Sequence, residues 1–200
     1  MADKILDHPL SRTKDRSGLH FYDDHLYLIH VATSDVYDGD TIENVAVHIA
    51  DLPETGVARG SIRTIWPQVE LMYNAIVVKF NLRVNGIDTP EVHPSKHWAD
   101  GSVRTQESRE HEHLLAMHAR DELINLLEKH DNIAYIRNPQ IGKYAGRLVA
   151  ELVFKEEDGT IFDYAQYMIS EGLAHPYGGG TKPPWHLNEE LISDELSKSQ

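Results

Sequence analysis

The sequence predicts an α+β fold, and three observations carry that expectation. Apolar, β-branched segments recur through the first half of the chain, one long helical repeat interrupts them, and further strands and helices follow it. At 200 residues the chain suffices for one well-cored domain with decorations.

The elements follow in order. LYLIHVATSDV, from Leu26 to Val36, reads as a strand, and Asp38-Gly39 after it is a turn signal. A second strand runs from Ile42 to Ile49. Residues 51–68 carry two prolines and two glycines with no sustained period, which suits a loop or short irregular insertion. Strand character resumes from Val69 to Val84. Thr89-Pro90 breaks it, and a helix is expected from about Thr105 to Lys129, where Leu115, Ala119, Leu123, Leu126 and Leu127 form one stripe of a 3.6-residue period. IAYIR at 133–137 and RLVAELVF at 147–154 read as strands. The Asp158-Gly159 turn leads into a helix from about Asp163 to Glu171, with Gly172 as its cap. A glycine run at 178–180 and Pro183-Pro184 then connect to a last helix, HLNEELISDELSK. Residues 1–25 are expected to be an N-terminal extension, 26–177 the domain with its insertion at about 51–68, and 178–200 a linker and C-terminal helix. Five or so twisted strands of this length suit a small five-stranded barrel of the oligonucleotide-binding type with about three helices.

Composition narrows the chemistry. Without cysteine there is no disulfide framework and no thiolate metal site, so a metal must be held by oxygen or imidazole. The first residues lack the apolar core of a signal peptide and no eighteen apolar residues run together, so a cytoplasmic protein with no membrane partner is expected. The net charge of −13 argues against a broad basic surface that grips duplex DNA. A local cationic pocket with a bound divalent metal escapes that objection, which limits a nucleic-acid partner to a small footprint, with single strands favoured.

Two segments bring together groups that phosphodiester chemistry needs: oxygen ligands for a hard cation, guanidinium forks for phosphate oxygens, and a carboxylate for water. Asp38-Gly39-Asp40-Thr41 places two carboxylates at a tight turn. Arg83-Val-Asn-Gly-Ile-Asp88-Thr-Pro-Glu91 places an Arg, an Asp and a Glu around a strand end. If the strand stays regular, Arg83, Asn85 and Ile87 share one face. Asp88 sits at the exit, where Pro90 holds Thr89 extended and frees its carbonyl.

The runs VYDGDTI and RVNGIDTPE resemble, in order, the paired signature segments of the staphylococcal nuclease (thermonuclease) family, and Lys143-Tyr144-Ala145-Gly146-Arg147 resembles its third signature, a Lys/Arg-Tyr/Phe-Gly-Arg turn. The resemblance covers roughly residues 26–177. It implies that Asp40 and Asp88 bind a metal, usually calcium, with the Thr89 carbonyl. It implies that Arg83 and Arg147 grip the scissile phosphate, and that Glu91 is the general base for the attacking water. Lys143 and Tyr144 resemble the pair that contacts a neighbouring phosphate, and Tyr177 resembles a tyrosine near base and sugar. Members of this family hydrolyse DNA and RNA with little sequence preference, leaving 3′-phosphates. The chain departs from the family in its long segment between Asp40 and Arg83, in the extra Ala145 within the third signature, and in its acidic balance.

Plainer explanations stand beside these. Asp38 suits a turn former. The thirteen histidines, His111 and His118 among them, show no tight ligand spacing and suit solvated or hydrogen-bonded roles. Trp66, Trp98 and Trp185 suit caps over the core as well as base stacking. Two functions lead, a calcium-dependent, sugar-nonspecific endonuclease and a catalytically silent barrel that serves as a nucleic-acid or protein binding scaffold, ahead of a histidine-based metal-binding protein unrelated to nucleic acid. They divide on whether Arg147, behind the added residue, lies with Arg83.

Overall fold

The computed structural model describes residues 25–51, 63–66, 69–72, 75–142, 147–180, 182 and 185. The N-terminal extension, the last predicted helix and the Lys143–Gly146 turn lie outside the described residues. Within them the fold is α+β: eleven strands and two α-helices. No described helix is long and apolar enough to cross a membrane.

The first predicted strand is broken. β1 spans Tyr27–His30, a single 3-10 turn follows at Thr33–Asp35, and β2 (Val36–Asp38) starts a separate pairing. β3 (Thr41–Asp51) is longer than expected and pairs antiparallel with β1, β2 and β6. Part of the segment expected to be a loop is strand: β4 (Arg63–Trp66) pairs with β5 (Val69–Met72), and β5 adds this hairpin to β6 (Ala75–Val84). The run from Val69 to Val84 is therefore two antiparallel strands, because each half gains a full ladder by folding back on the other.

β7 (Gly86–Asp88) follows one residue after β6. The helix α1 (Gln106–Lys129) matches the predicted stripe, with Leu115, Ala119, Leu123 and Leu127 buried. Thr105 caps it, its hydroxyl accepting from the Ser108 N–H at 3.1 Å. β8 (Ile133–Ile141) runs four residues past the predicted end and pairs with β1 and β9. β9 (Arg147–Lys155) also pairs in parallel with β6, setting Asn81 opposite Arg147 and Arg83 opposite Val149. β10 (Ile161–Asp163) closes the hairpin onto β9, α2 (Tyr164–Ser170) follows with Asp163 as its N-cap, and β11 (His175–Tyr177) pairs with β7.

The core lies between the sheet and the two helices. Ile29, Ile42, Leu82, Leu123, Leu127, Ile136, Leu152, Phe154, Tyr164 and Met168 are all essentially inaccessible to solvent. Each such apolar side chain contributes about 1.5–3 kcal/mol relative to exposure. On β9 the even-numbered residues Leu148, Ala150 and Leu152 face this core. Arg147 and Val149 therefore face the other way, toward the same side as Arg83 on β6.

Candidate functional site

The site begins at the β2–β3 turn. Gly39 has to be a glycine, since a Cβ there would lie 2.9 Å from both the Ala119 Cβ and the Thr89 Cγ2. The turn thus presses against α1 and against the Thr89 segment together. Tyr164, fully buried at the start of α2, donates its hydroxyl to the Gly39 carbonyl at 2.6 Å. Burial, then the nearby Asp40 charge, raises the Tyr164 phenol well above its ordinary range, so it remains a donor.

Asp40 follows, wholly buried. Its carboxylate accepts from the Thr89 N–H at 3.0 Å, from the Thr41 hydroxyl at 2.9 Å, and from the Arg83 guanidinium. Arg83 arrives there because it is the cross-strand partner of Thr41 in the β3–β6 ladder. A bulge in β3 lies between that pair and the rest of the ladder, with Asn44 at φ +49° and its N–H donated to the Asn81 side chain at 3.2 Å. The other arm of Arg83 donates to Asp88 Oδ1 at 3.0 Å. One guanidinium thereby bridges the two carboxylates that the sequence singles out.

The expected face of Arg83, Asn85 and Ile87 does not form. Asn85 is a turn residue, Gly86 has φ +86°, and Ile87 is buried in the core while Arg83 faces the cavity. The left-handed glycine reverses the alternation. That reversal, with β11 pairing His175 opposite Asp88, turns the Asp88 carboxylate toward Arg83.

Glu91 lies beyond Pro90, partly exposed, with Asp38, Arg83, Arg147 and Tyr177 on the walls of one open cavity of about 650 Å³. Arg147 therefore does lie with Arg83, despite the added Ala145. The pairing of β9 with β6, not the turn before it, decides where Arg147 points. Tyr177 lines the cavity too, its hydroxyl donating to the Gly180 carbonyl at 2.8 Å. Lys143 and Tyr144 lie outside the described residues.

Electrostatically the site is overloaded with acid. Burial foremost, then the charge of Asp38, pushes the Asp40 carboxyl up to about 8, with Arg83 pulling the other way. Asp38 is also raised by burial, and its Oδ1 accepts from the Asp40 N–H at 3.2 Å. It does hold the turn as expected, yet it sets the field at Asp40 as well.

Sequence reasoning missed three participants. Tyr164 gave no signal, being one aromatic at a helix start. Lys182 lies 2.7 Å from Asp88 Oδ1 and also bonds Glu91. Burial pulls the Lys182 ammonium down, but hydrogen bonds and charge from Asp88 and Glu91 outweigh it and raise its pKa. Glu112 is buried on α1, accepts from the Glu91 N–H at 3.2 Å, and pairs with Arg104 at 2.5 Å. Its signal was present, because Glu112 precedes Leu115 and Ala119 by three and seven residues, on the buried stripe itself.

Two of the tryptophans have described ring contacts. The Arg104 guanidinium lies over the Trp98 ring at 4.1 Å, and Trp185 stacks on His175 at 4.0 Å. Among the described residues no three His, Asp or Glu side chains group as a ready cation cage. The buried oxygen donors behind Arg83 are Asp40 and Asp88, beside the Thr89 segment, whose buried hydroxyl has no hydrogen-bond partner among the described residues. An all-oxygen donor set with surplus negative charge fits a hard divalent cation such as calcium, which completes its shell with water. Compared with models of known protein families and with curated proteins, the chain matches none.

Proposed function

We propose that the protein is a divalent-cation-dependent phosphodiesterase acting on DNA or RNA, a nuclease of the staphylococcal type, built on an oligonucleotide-binding barrel. The barrel reading rests on the strand pairings, which run from β1 through β3, β6, β9 and β8 back to β1. One observation carries the functional reading. Arg83, bonded to both Asp40 and Asp88, opens onto the same cavity as Glu91 and Arg147.

In this reading Asp40, Asp88 and the Thr89 carbonyl hold the cation, calcium by preference. When bound it supplies positive charge that the acid-rich site lacks. Arg83 and Arg147, facing one side of adjacent parallel strands, offer guanidinium forks to the non-bridging oxygens of one phosphate. Charge that builds on those oxygens at the transition state is met by the two guanidinium groups. Glu91, on the same cavity wall and partly open to water, accepts the proton of the attacking water. Tyr177, on the cavity wall, borders the space for sugar or base. The acidic surface outside the cavity keeps the footprint small and favours a single strand.

The test is hydrolysis of single- and double-stranded DNA and of RNA, with calcium, magnesium and chelator in parallel. Cleavage is expected with the cation and none with chelator. Arg83→Ala and Glu91→Gln are each expected to lose about 100-fold or more in kcat. A wild-type protein that leaves every substrate intact with every cation, yet binds single strands, would leave the scaffold function in its place.

A further inference from the structure

Resting on that reading, we infer that Glu112, held by Arg104, is a positioning residue for Glu91. It fixes the segment that carries the proposed base through the backbone, from the side away from the cavity.

The observations converge on residues 91–93. The Glu91 N–H donates to Glu112 Oε1 at 3.2 Å. The next residue, Val92, accepts at its carbonyl from His113 Nδ1 at 2.7 Å; a carbonyl only accepts, so this nitrogen carries the hydrogen. His93 then meets the ring of Tyr37 edge to face at 6.2 Å. Three consecutive residues are thus tied to α1 and to β2 while the Glu91 side chain stays at the cavity. Glu112 and His113 are adjacent on α1, so one rigid helical turn supplies two of the ties.

Glu112 is the acceptor best able to hold an amide there, because its own geometry is fixed. Both it and Arg104 are buried, and the pair closes at 2.5 Å. Arg104 in turn reaches the Ser108 carbonyl and hydroxyl at 3.3 and 3.2 Å, and lies over Trp98. A buried charge pair is a weak source of stability compared with an apolar pair of the same volume. The amide it orients gives the pair a role at this place beyond stability. A charged acceptor holds that amide more strongly than a neutral one.

Four chains separate this role from a structural one. Arg104→Met combined with Glu112→Leu replaces the pair by apolar volume and removes the acceptor. Arg104→Met combined with Glu112→Gln keeps an acceptor without the charge pair. With saturating cation, the Leu form is expected to lose about 10- to 100-fold in kcat with KM little changed, and the Gln form to recover most of it. In a Glu91→Gln background the Leu pair is expected to cost nothing further. Hydrogen exchange at the Glu91 amide should be slow in wild type and in the Gln form and fast in the Leu form. If the Leu form does not fold, Glu112→Asp, which draws the carboxylate back by one methylene, is expected to give the same fall in kcat and the same faster exchange. Equal kcat in the Leu and Gln forms, additive loss with Glu91→Gln, or unchanged exchange at Glu91 would each overturn the inference. A wild-type protein that cleaves nothing overturns the nuclease reading instead, and the exchange measurement still decides whether Glu112 holds the segment.

Discussion

Two buried carboxylate–arginine clusters lie on either side of Glu91, and they are built on opposite principles. Behind it, Glu112 and Arg104 form a one-to-one pair, sealed by Trp98 and the helix. In front, Asp38, Asp40, Asp88 and Glu91 crowd around Arg83 and Lys182 beside an open cavity. A balanced pair in a closed place holds a shape. The crowded cluster leaves Asp40 with a carboxyl raised first by burial and then by the charge of Asp38.

The largest effect that would break this contrast concerns the balanced pair. Glu112→Leu alone leaves Arg104 buried without its partner and is expected to cost about 3–5 kcal/mol in urea unfolding. Adding Arg104→Met should return stability to the wild-type value or above it. If the single and double variants are equally destabilised, the pair is not balanced.

The overloaded cluster answers to pH and cation. A cation bound at Asp40 must displace the proton this carboxyl holds below about pH 8. Calcium affinity measured by calorimetry should therefore rise from pH 6 to pH 8, by at most about tenfold per unit. In metal-free protein the sign is opposite. Asp40 binds its proton more tightly folded than unfolded, since its value is raised from 3.8 to about 8. Its contribution to stability is whole below about pH 4 and is lost as pH rises toward 8. Asp38→Asn removes one charge that raises Asp40, so both transitions should move to lower pH. Their persistence at the wild-type pH would mean that Asp38 is not part of the field.

The smallest expected effect is at Lys182, which is about 40% exposed. Lys182→Ala should change metal-free stability by no more than about 1 kcal/mol, because solvent screens a half-open ion pair. It should tighten calcium binding, since an ammonium bonded to Asp88 competes for the same oxygens. Weaker calcium binding in this variant would make Lys182 a support for the site instead of a competitor.

Local pattern was most legible where one face of an element is buried. The α1 stripe predicted its helix within a residue of its observed ends, because burial imposes the 3.6-residue period directly. The strand from Leu26 to Val36 failed for the converse reason. Its composition suits extended chain throughout, yet β1 and β2 pair with β3 at separate places, and the 3-10 turn interrupts the ladder between them. The segment 63–66 was hidden by its glycine- and proline-rich neighbours, and its strand character arises from an exposed edge of β5.

The sequence by itself determined the chemical types at the site. Asp40, Arg83, Asp88 and Glu91 lie in two short runs, each close enough along the chain to share a strand end or a turn. Tertiary structure alone decided their grouping and their state. Arg147 reaches the cavity because β9 lies parallel to β6, and Asp40 is raised because Gly39 seats its turn against Ala119 and Thr89. Neither fact can be local, since register between distant strands and exclusion of water are properties of the packed whole.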